Sequence, residues 1–224
     1  IWGSNMAATR LQAMPEIINA RKSGKKIVLI DVCGEAMSKY CDKTILIRPG
    51  TDGALALAMM NVLVKEGSAD EEFLDNNAEG YREFKETLSE YTPKWAENIT
   101  GIASETIIEL ALEYGKASAP AIILGSGNSR YGNGAMTVRL ITILSLFTGA
   151  WKKKGGGLCG CTPIETSYIN LSLIKRPDFR KEPYKKININ QLGAAVNDKN
   201  IKSLYVFSQF YRTKSHVDFR IDAI

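Results

Sequence analysis

The sequence predicts an α/β fold: a parallel sheet flanked by helices, with a partial second α/β region after it. Two observations carry this. Apolar runs at residues 27–31, 44–47 and 119–124 are short and continuous, as in strands covered on both faces. Helical spacing separates them, and the alternation of strand and helix signals is the order a parallel sheet requires.

Taken in order, residues 2–5 close a first strand. Residues 7–23 carry helical spacing through Ala8, Leu11, Met14, Ile17, Ile18 and Ala20, with Pro15 either kinking the helix or starting a second one. Gly24 is a plausible stop before the strand 27–31. A short helix at 36–41 and a strand at 44–47 lead into Arg48-Pro49-Gly50-Thr51-Asp52, a tight turn running into an apolar helix at 54–64. Residues 69–91 read as mainly helical. Thr92 and Pro93 form an N-cap and first helical position, Ile99-Thr100-Gly101 interrupts, and 103–114 is a further helix. The strand 119–124 runs into a glycine-rich loop, and 134–149 is a strongly apolar helix. Residues 151–188, rich in Gly, Lys and Pro, are expected to be an irregular excursion. A helix at 190–197 and a strand at 204–207 follow. The expected division is therefore 1–150 and 151–224, the second part incomplete.

Composition narrows the function. With 224 residues, 45% hydrophobic and 24% charged, the chain can bury a large core. The net charge of +5 is mild and mostly dispersed, which argues against a nucleic-acid partner. No apolar run approaches the ~20 residues that span a bilayer. Four cysteines, Cys33, Cys41, Cys159 and Cys161, suit buried or partly buried thiols better than a disulfide framework. His216 is the one histidine, so a zinc site is disfavoured. No Gly-Lys-Ser/Thr phosphate loop occurs, and no Ser-His-Asp, Cys-His or paired-carboxylate arrangement supports hydrolysis. An isoleucine at position 1 and the abrupt end at Ile224 suggest a piece of a longer polypeptide.

The strand ends hold the candidate site. Gly50, Thr51 and Asp52 place a hydroxyl, a carboxylate and backbone N–H groups at one helix N-terminus, with Thr51 and Asp52 read as its cap. Trp2-Gly3-Ser4-Asn5 and Asp31 end two more strands at Rossmann-like spacing, with Asp31 where such folds place a ribose-binding acid. Each residue also has a plain structural reading: Asp31 as a loop carboxylate, Asp52 as a first-turn acid, Gly125-Ser126-Gly127 as an ordinary turn.

As an ordered series, these motifs resemble the molybdopterin oxidoreductases of the dimethyl sulfoxide reductase and formate dehydrogenase superfamily. The series is Trp2-Gly3-Ser4-Asn5, Ile30-Asp31, Arg48-Pro49-Gly50-Thr51-Asp52, Tyr91-Thr92-Pro93, Ile99-Thr100-Gly101, Gly125-Ser126-Gly127, Leu146-Phe147-Thr148-Gly149 and Gly155-Gly156-Gly157. The resemblance implies that 1–150 is the Rossmann-like third domain of such an enzyme and 151–224 an incomplete return into the second, together holding a guanine dinucleotide arm of bis(molybdopterin guanine dinucleotide) with molybdenum or tungsten. Trp2, Gly3, Ser4 and Asn5 would approach the diphosphate and Asp31 the ribose. Gly50, Thr51 and Asp52 would recognise guanosine, and Ser126 and Arg130 would reach the pterin region. It further implies that an iron–sulfur cluster and the metal ligand lie in missing domains of the same chain, with an iron–sulfur electron-transfer subunit as partner. No residue here is assigned as catalytic or metal-binding. The chain departs from the family pattern with Val32-Cys33 for Pro-Arg, Met6 for Pro, and Ser208-Gln209-Phe210-Tyr211 where an Asn-x-Asn-Pro-like loop is usual. Two other readings are a family descendant that kept the fold without cofactor, and a stand-alone nucleotide-binding domain.

Overall fold

A computed structural model describes residues 1–160, 170, 172–173, 177–179, 187, 191–199, 201 and 203. The chain divides into two compact units, Ile1–Pro163 and Ile164–Ile224.

The first unit is the predicted α/β fold. Strand β1 (Val28–Asp31) pairs in parallel with β2 (Lys43–Leu46), and β3 (Ala121–Leu124) pairs in parallel with β4 (Gly157–Gly160). Trp2 joins the two pairs by parallel bridges to Ile30 on one side and Leu124 on the other. Its own N–H donates to the Ile123 carbonyl at 2.8 Å, and the Gly125 N–H donates to the Trp2 carbonyl at 2.7 Å. The order across the sheet is therefore β2, β1, Trp2, β3, β4. The chain's first extended segment lies at the centre, and the connections leave it in opposite directions. That reversal is the topological switch point beside which doubly wound folds bind ligands.

Side-chain alternation explains why both faces are covered. Trp2, Ile30, Ile122 and Leu124 pack into one core with helices α4 (Asp52–Lys65), α7 (Pro93–Thr100), α8 (Ser104–Lys116) and α9 (Gly134–Phe147). Leu29 belongs to the other core, with Ile1, Ile27 and Ile123 packed against it. That core is closed by Met6 of α1 (Met6–Thr9), Met14 and Ile17 of α2 (Met14–Lys22) and Met37 of α3 (Glu35–Ser38). Helix α4 is apolar nearly all round because it is enclosed by α7, α8 and α9.

Pro15 sits in the first turn of α2 and starts a second helix, one of the two expected outcomes, with a 3₁₀ turn at Leu11–Ala13 joining it to α1. Other elements differ from the expectation. The helical stretch 69–91 is broken at Gly80, whose φ of +74° only glycine adopts easily, into α5 (Glu71–Asn77) and α6 (Tyr81–Thr87). Asp70 caps α5 through the Phe73 N–H. Thr92 caps α7 as its sequence suggests. Strand β4 lies where an irregular excursion was expected. Its glycines carry no strand signal, and its place comes from pairing with β3 and from the Trp151 ring lying against Gly157. Cys33 and Cys159 are exposed rather than buried, whereas Cys41 is buried. Among the described residues, no helix is long and apolar enough to cross a membrane.

The second unit is described over a short 3₁₀ turn, Pro177–Phe179, and helix α10 (Leu192–Asn197), within the span expected to be helical. The expected strand at 204–207 and the loop 208–211 lie outside the described residues.

The sheet centre is closed by backbone touching backbone: a Cβ added to Gly125 would fall 1.7 Å from the Gly3 carbonyl oxygen, with nothing flexible to give way. Gly125→Ala should cost about 3 kcal/mol or more, the upper range for overpacking. Gly127→Ala, whose nearest neighbour would be 3.8 Å away, should stay within about 0.5 kcal/mol of wild type. Urea unfolding of both variants checks this, and equal midpoints would contradict the close approach.

Candidate functional site

The site lies at the carboxyl ends of the central strands. Leaving β2, Arg48 turns the chain, and its guanidinium donates to the Asn98 carbonyl at 2.8 Å and to that of Ile99 at 3.3 Å. The Arg48 N–H donates to the Thr100 carbonyl, and Gly101 ends α7 in the left-handed conformation. The Arg-Pro-Gly-Thr-Asp and Ile-Thr-Gly motifs, about fifty residues apart in sequence, are thus one contact. A cation closes the negative end of α7 and fixes the turn before α4.

Gly50 takes the turn with φ +78°. Thr51 occupies the N-cap position but does not cap: its hydroxyl donates to the Arg48 carbonyl at 2.7 Å and tightens the turn. The Thr51 part of the expected Thr-Asp cap is therefore replaced by a side chain spent within the turn. The Thr51 side chain makes no capping bond to the first-turn N–H groups of α4.

Asp52, the first residue of α4, is 2% exposed. Its Oδ1 accepts the Trp2 indole N–H at 2.8 Å, and its Oδ2 is buried with no partner among the described residues. Burial pushes the Asp52 carboxyl above the ordinary carboxylate range. The Trp2 indole and the residue's own N–H pull it back, and the charge of Asp31 pushes it further up. The structure thus brings Trp2, Asp31 and Asp52 into one neighbourhood at three strand ends.

Asp31 is half-buried, and its Oδ1 accepts the Cys33 N–H at 3.1 Å, a local turn contact that leaves the other oxygen available. Gly3 has φ +60°, and a Cβ there would lie 2.6 Å from the Asn128 amide oxygen. Ser4 is buried and Asn5 exposed. Ser126 and Arg130 stand exposed in a 3₁₀ turn, Ser126–Arg130, after β3. Of the expected residues, Trp2 and Asp52 are in direct contact, Asp31 acts on Asp52 through its charge, and Ser126 and Arg130 sit on the loop beside Gly3.

Sequence reasoning passed over four neighbours. Asn128 is 4% exposed, fills the space beside Gly3 and leaves its amide nitrogen unpartnered. The Asn133 amide donates to the Gly50 carbonyl at 3.0 Å, and the Tyr131 ring lies against Gly50. Thr137 on α9 is buried beside Gly53 with its hydroxyl unpartnered. Only the adjoining glycines could have drawn attention to them; the burial of Asn128 and Thr137 is a product of tertiary packing. Buried groups without partners are rare in folded chains; among the described residues there are seven such side-chain atoms, and three, on Asp52, Asn128 and Thr137, lie around one strand end.

The Asp52 shift fixes a sign. A carboxyl held above its ordinary value of 3.8 binds its proton more tightly in the folded state. Its ionisation then costs stability as pH rises from that value through the folded one, and the cost is complete above it. Asp52→Asn removes this cost while retaining an acceptor for the indole. The variant should be at least as stable as wild type in urea at neutral pH, with its advantage shrinking toward about pH 4. A lower midpoint than wild type at neutral pH would contradict the raised value.

Comparison with known proteins agrees with this architecture. The molybdopterin oxidoreductase family matches residues 1–219. The probable oxidoreductase YoaE of Bacillus subtilis (strain 168) is 38% identical over 209 residues, covering 92% of this chain and 31% of that protein. The F420-dependent formate dehydrogenase subunit alpha of Methanocaldococcus jannaschii is 37% identical over 228 residues, covering 93% and 34%. The solved structure of acetylene hydratase from Pelobacter acetylenicus superposes with a TM-score of 0.63 at 27% identity, over 66% of this chain and 21% of that one. The chain thus spans about a third of the length of these curated relatives. With its sheet order, its strand-end motifs and a match over nearly its whole length, the chain belongs to the molybdopterin oxidoreductase family.

Proposed function

We propose that this chain holds a guanine dinucleotide arm of a bis(molybdopterin guanine dinucleotide) cofactor, as the nucleotide-binding part of a molybdenum- or tungsten-dependent oxidoreductase. The single observation that carries the reading is the buried Asp52 carboxylate, held by Trp2 and left with one unpartnered oxygen at the switch point of the sheet.

The residues present fit such a group. An ionised carboxylate offers only acceptors, and the Watson–Crick edge of guanine offers two adjacent donors, N1–H and the exocyclic amine. Oδ2 is unpartnered, and Oδ1 keeps a second lone pair beyond the one used by the indole. Among the described residues, the Asn128 amide nitrogen beside Gly3 is a buried donor without a partner, which suits the anionic part of the ligand. Asp31 keeps an oxygen for a ribose hydroxyl, and Ser126 and Arg130 are exposed on the adjoining loop. Because Oδ2 is buried in this conformation, admission of the base requires local opening around the start of α4, where the Tyr131–Asn133 segment rests on Gly50.

When bound, the metal–pterin group supplies two-electron redox or oxygen-atom transfer. The residues of this chain bind and orient the nucleotide end. Under this reading the metal ligand and any iron–sulfur cluster belong to other domains of the parent chain, and an iron–sulfur subunit carries electrons to or from it.

Titration calorimetry of this chain with GDP and ADP tests the reading. GDP should bind more tightly, and Asp52→Ala should weaken GDP about tenfold or more while leaving ADP nearly unchanged, since charge-assisted hydrogen bonds contribute about 1.5–3 kcal/mol. A preference for ADP, or a GDP preference that survives Asp52→Ala, would overturn it.

A further inference from the structure

The Trp2–Asp52 hydrogen bond links two side chains that are each 2% exposed and fifty residues apart in sequence. A buried indole N–H needs an acceptor and a carboxylate removed from water needs donors, so the contact satisfies both. We propose that the Trp2 indole N–H holds the Asp52 carboxylate ionised and in one orientation, and thereby makes the site read guanine and reject adenine. This rests on the nucleotide reading above and assigns its specificity to a residue that would not itself need to touch the base.

The argument is one of donors and acceptors. An ionised carboxylate presents two acceptors and matches the two donors of guanine. A protonated carboxyl presents one O–H donor and one acceptor, and that pair matches the Watson–Crick edge of adenine, where N1 accepts and the exocyclic amine donates. The protonation state of Asp52 therefore decides which purine fits. Burial and the charge of Asp31 both favour the neutral acid. Among the described residues, Asp31 at the end of β1 is the charged group whose field reaches Asp52, and α9 presents the uncharged Thr137 and Leu140 beside Gly53. The side-chain donor that opposes them is the indole N–H. Its 2.8 Å contact also fixes the carboxylate plane, leaving Oδ2 as the open acceptor. Trp2 is thus a positioning residue, and its strand pairing with Ile30 and Leu124 gives the indole a rigid mount.

Trp2→Phe keeps an aromatic ring and removes the donor. Two readouts are taken on the same protein. Carbon-13 NMR titration of the Asp52 carboxyl, without nucleotide, should give a midpoint at least about half a pH unit higher in Trp2→Phe than in wild type. The GDP-to-ADP affinity ratio, measured from about pH 4 to pH 8, should fall at least about fivefold in Trp2→Phe near its midpoint and recover as pH rises. In an Asp52→Asn background the same Trp2 change should leave the ratio unmoved. If Trp2→Phe does not fold, placing benzothienylalanine at position 2 keeps the bicyclic ring and replaces the N–H with sulfur, with the same two outcomes expected. An unmoved carboxyl midpoint, or a moved midpoint with an unchanged ratio, would overturn the proposal while leaving the guanine reading intact. A wild-type protein that does not prefer GDP would overturn that reading and this proposal with it.

Discussion

The structure depends on what one residue does at the centre of the sheet. The backbone of Trp2 joins two strand pairs into a single parallel sheet, and its side chain reaches across to the first residue of α4. Backbone and side chain thus tie the sheet and the start of α4 together from one position. Because Trp2 is pinned by hydrogen bonds to Ile123 and Gly125, the indole arrives at Asp52 with little freedom left to lose. The same pinning brings Gly3 and Gly125 into backbone contact, which only residues without a Cβ permit.

The arrangement concentrates polar cost where the fold can least dilute it. Among the described residues, Asp52, Asn128 and Thr137 each bury a polar atom without a partner around one strand end; the surrounding helices present Leu55, Met59, Ile141 and Leu144 to the apolar core, where Asn61 also leaves its amide oxygen unpartnered. Unpaired buried groups destabilise a folded chain by about 1–3 kcal/mol each, so a place that gathers three of the seven found among the described residues is shaped for something other than stability. The Arg48 contact with the end of α7 works in the opposite sense: it satisfies carbonyls and holds the turn rigid, so that Asp52 is presented from a fixed base.

Much of the fold was legible because its signals are local. The apolar runs of β1 and β3, the Thr92-Pro93 start of α7 and the turn into α4 announce themselves within a few residues. Asp52 could be singled out because a carboxylate following a Gly-Thr turn at a helix start is a local pattern. What the pattern could not convey was the partner: the indole comes from fifty residues away. Thr51 misled, since its hydroxyl had a nearer acceptor in the Arg48 carbonyl than any first-turn N–H. Strand β4 was hidden because Gly157 and Gly160 have no strand preference of their own and are ordered by β3. Asn128 and Thr137 look like ordinary loop and helix residues until packing buries them.

The most direct measurement follows the Trp2 indole itself. The chain has three tryptophans, and Trp95 and Trp151 make their contacts elsewhere, with Tyr91 and with Ser145. In a nitrogen-15 correlation spectrum of the indole N–H groups, adding GDP should move the Trp2 signal, leave the other two in place, and slow exchange of the Trp2 proton with solvent. A Trp2 signal indifferent to GDP at saturation, or movement confined to Trp95 or Trp151, would contradict the claim that this carboxylate and its indole partner form the nucleotide site.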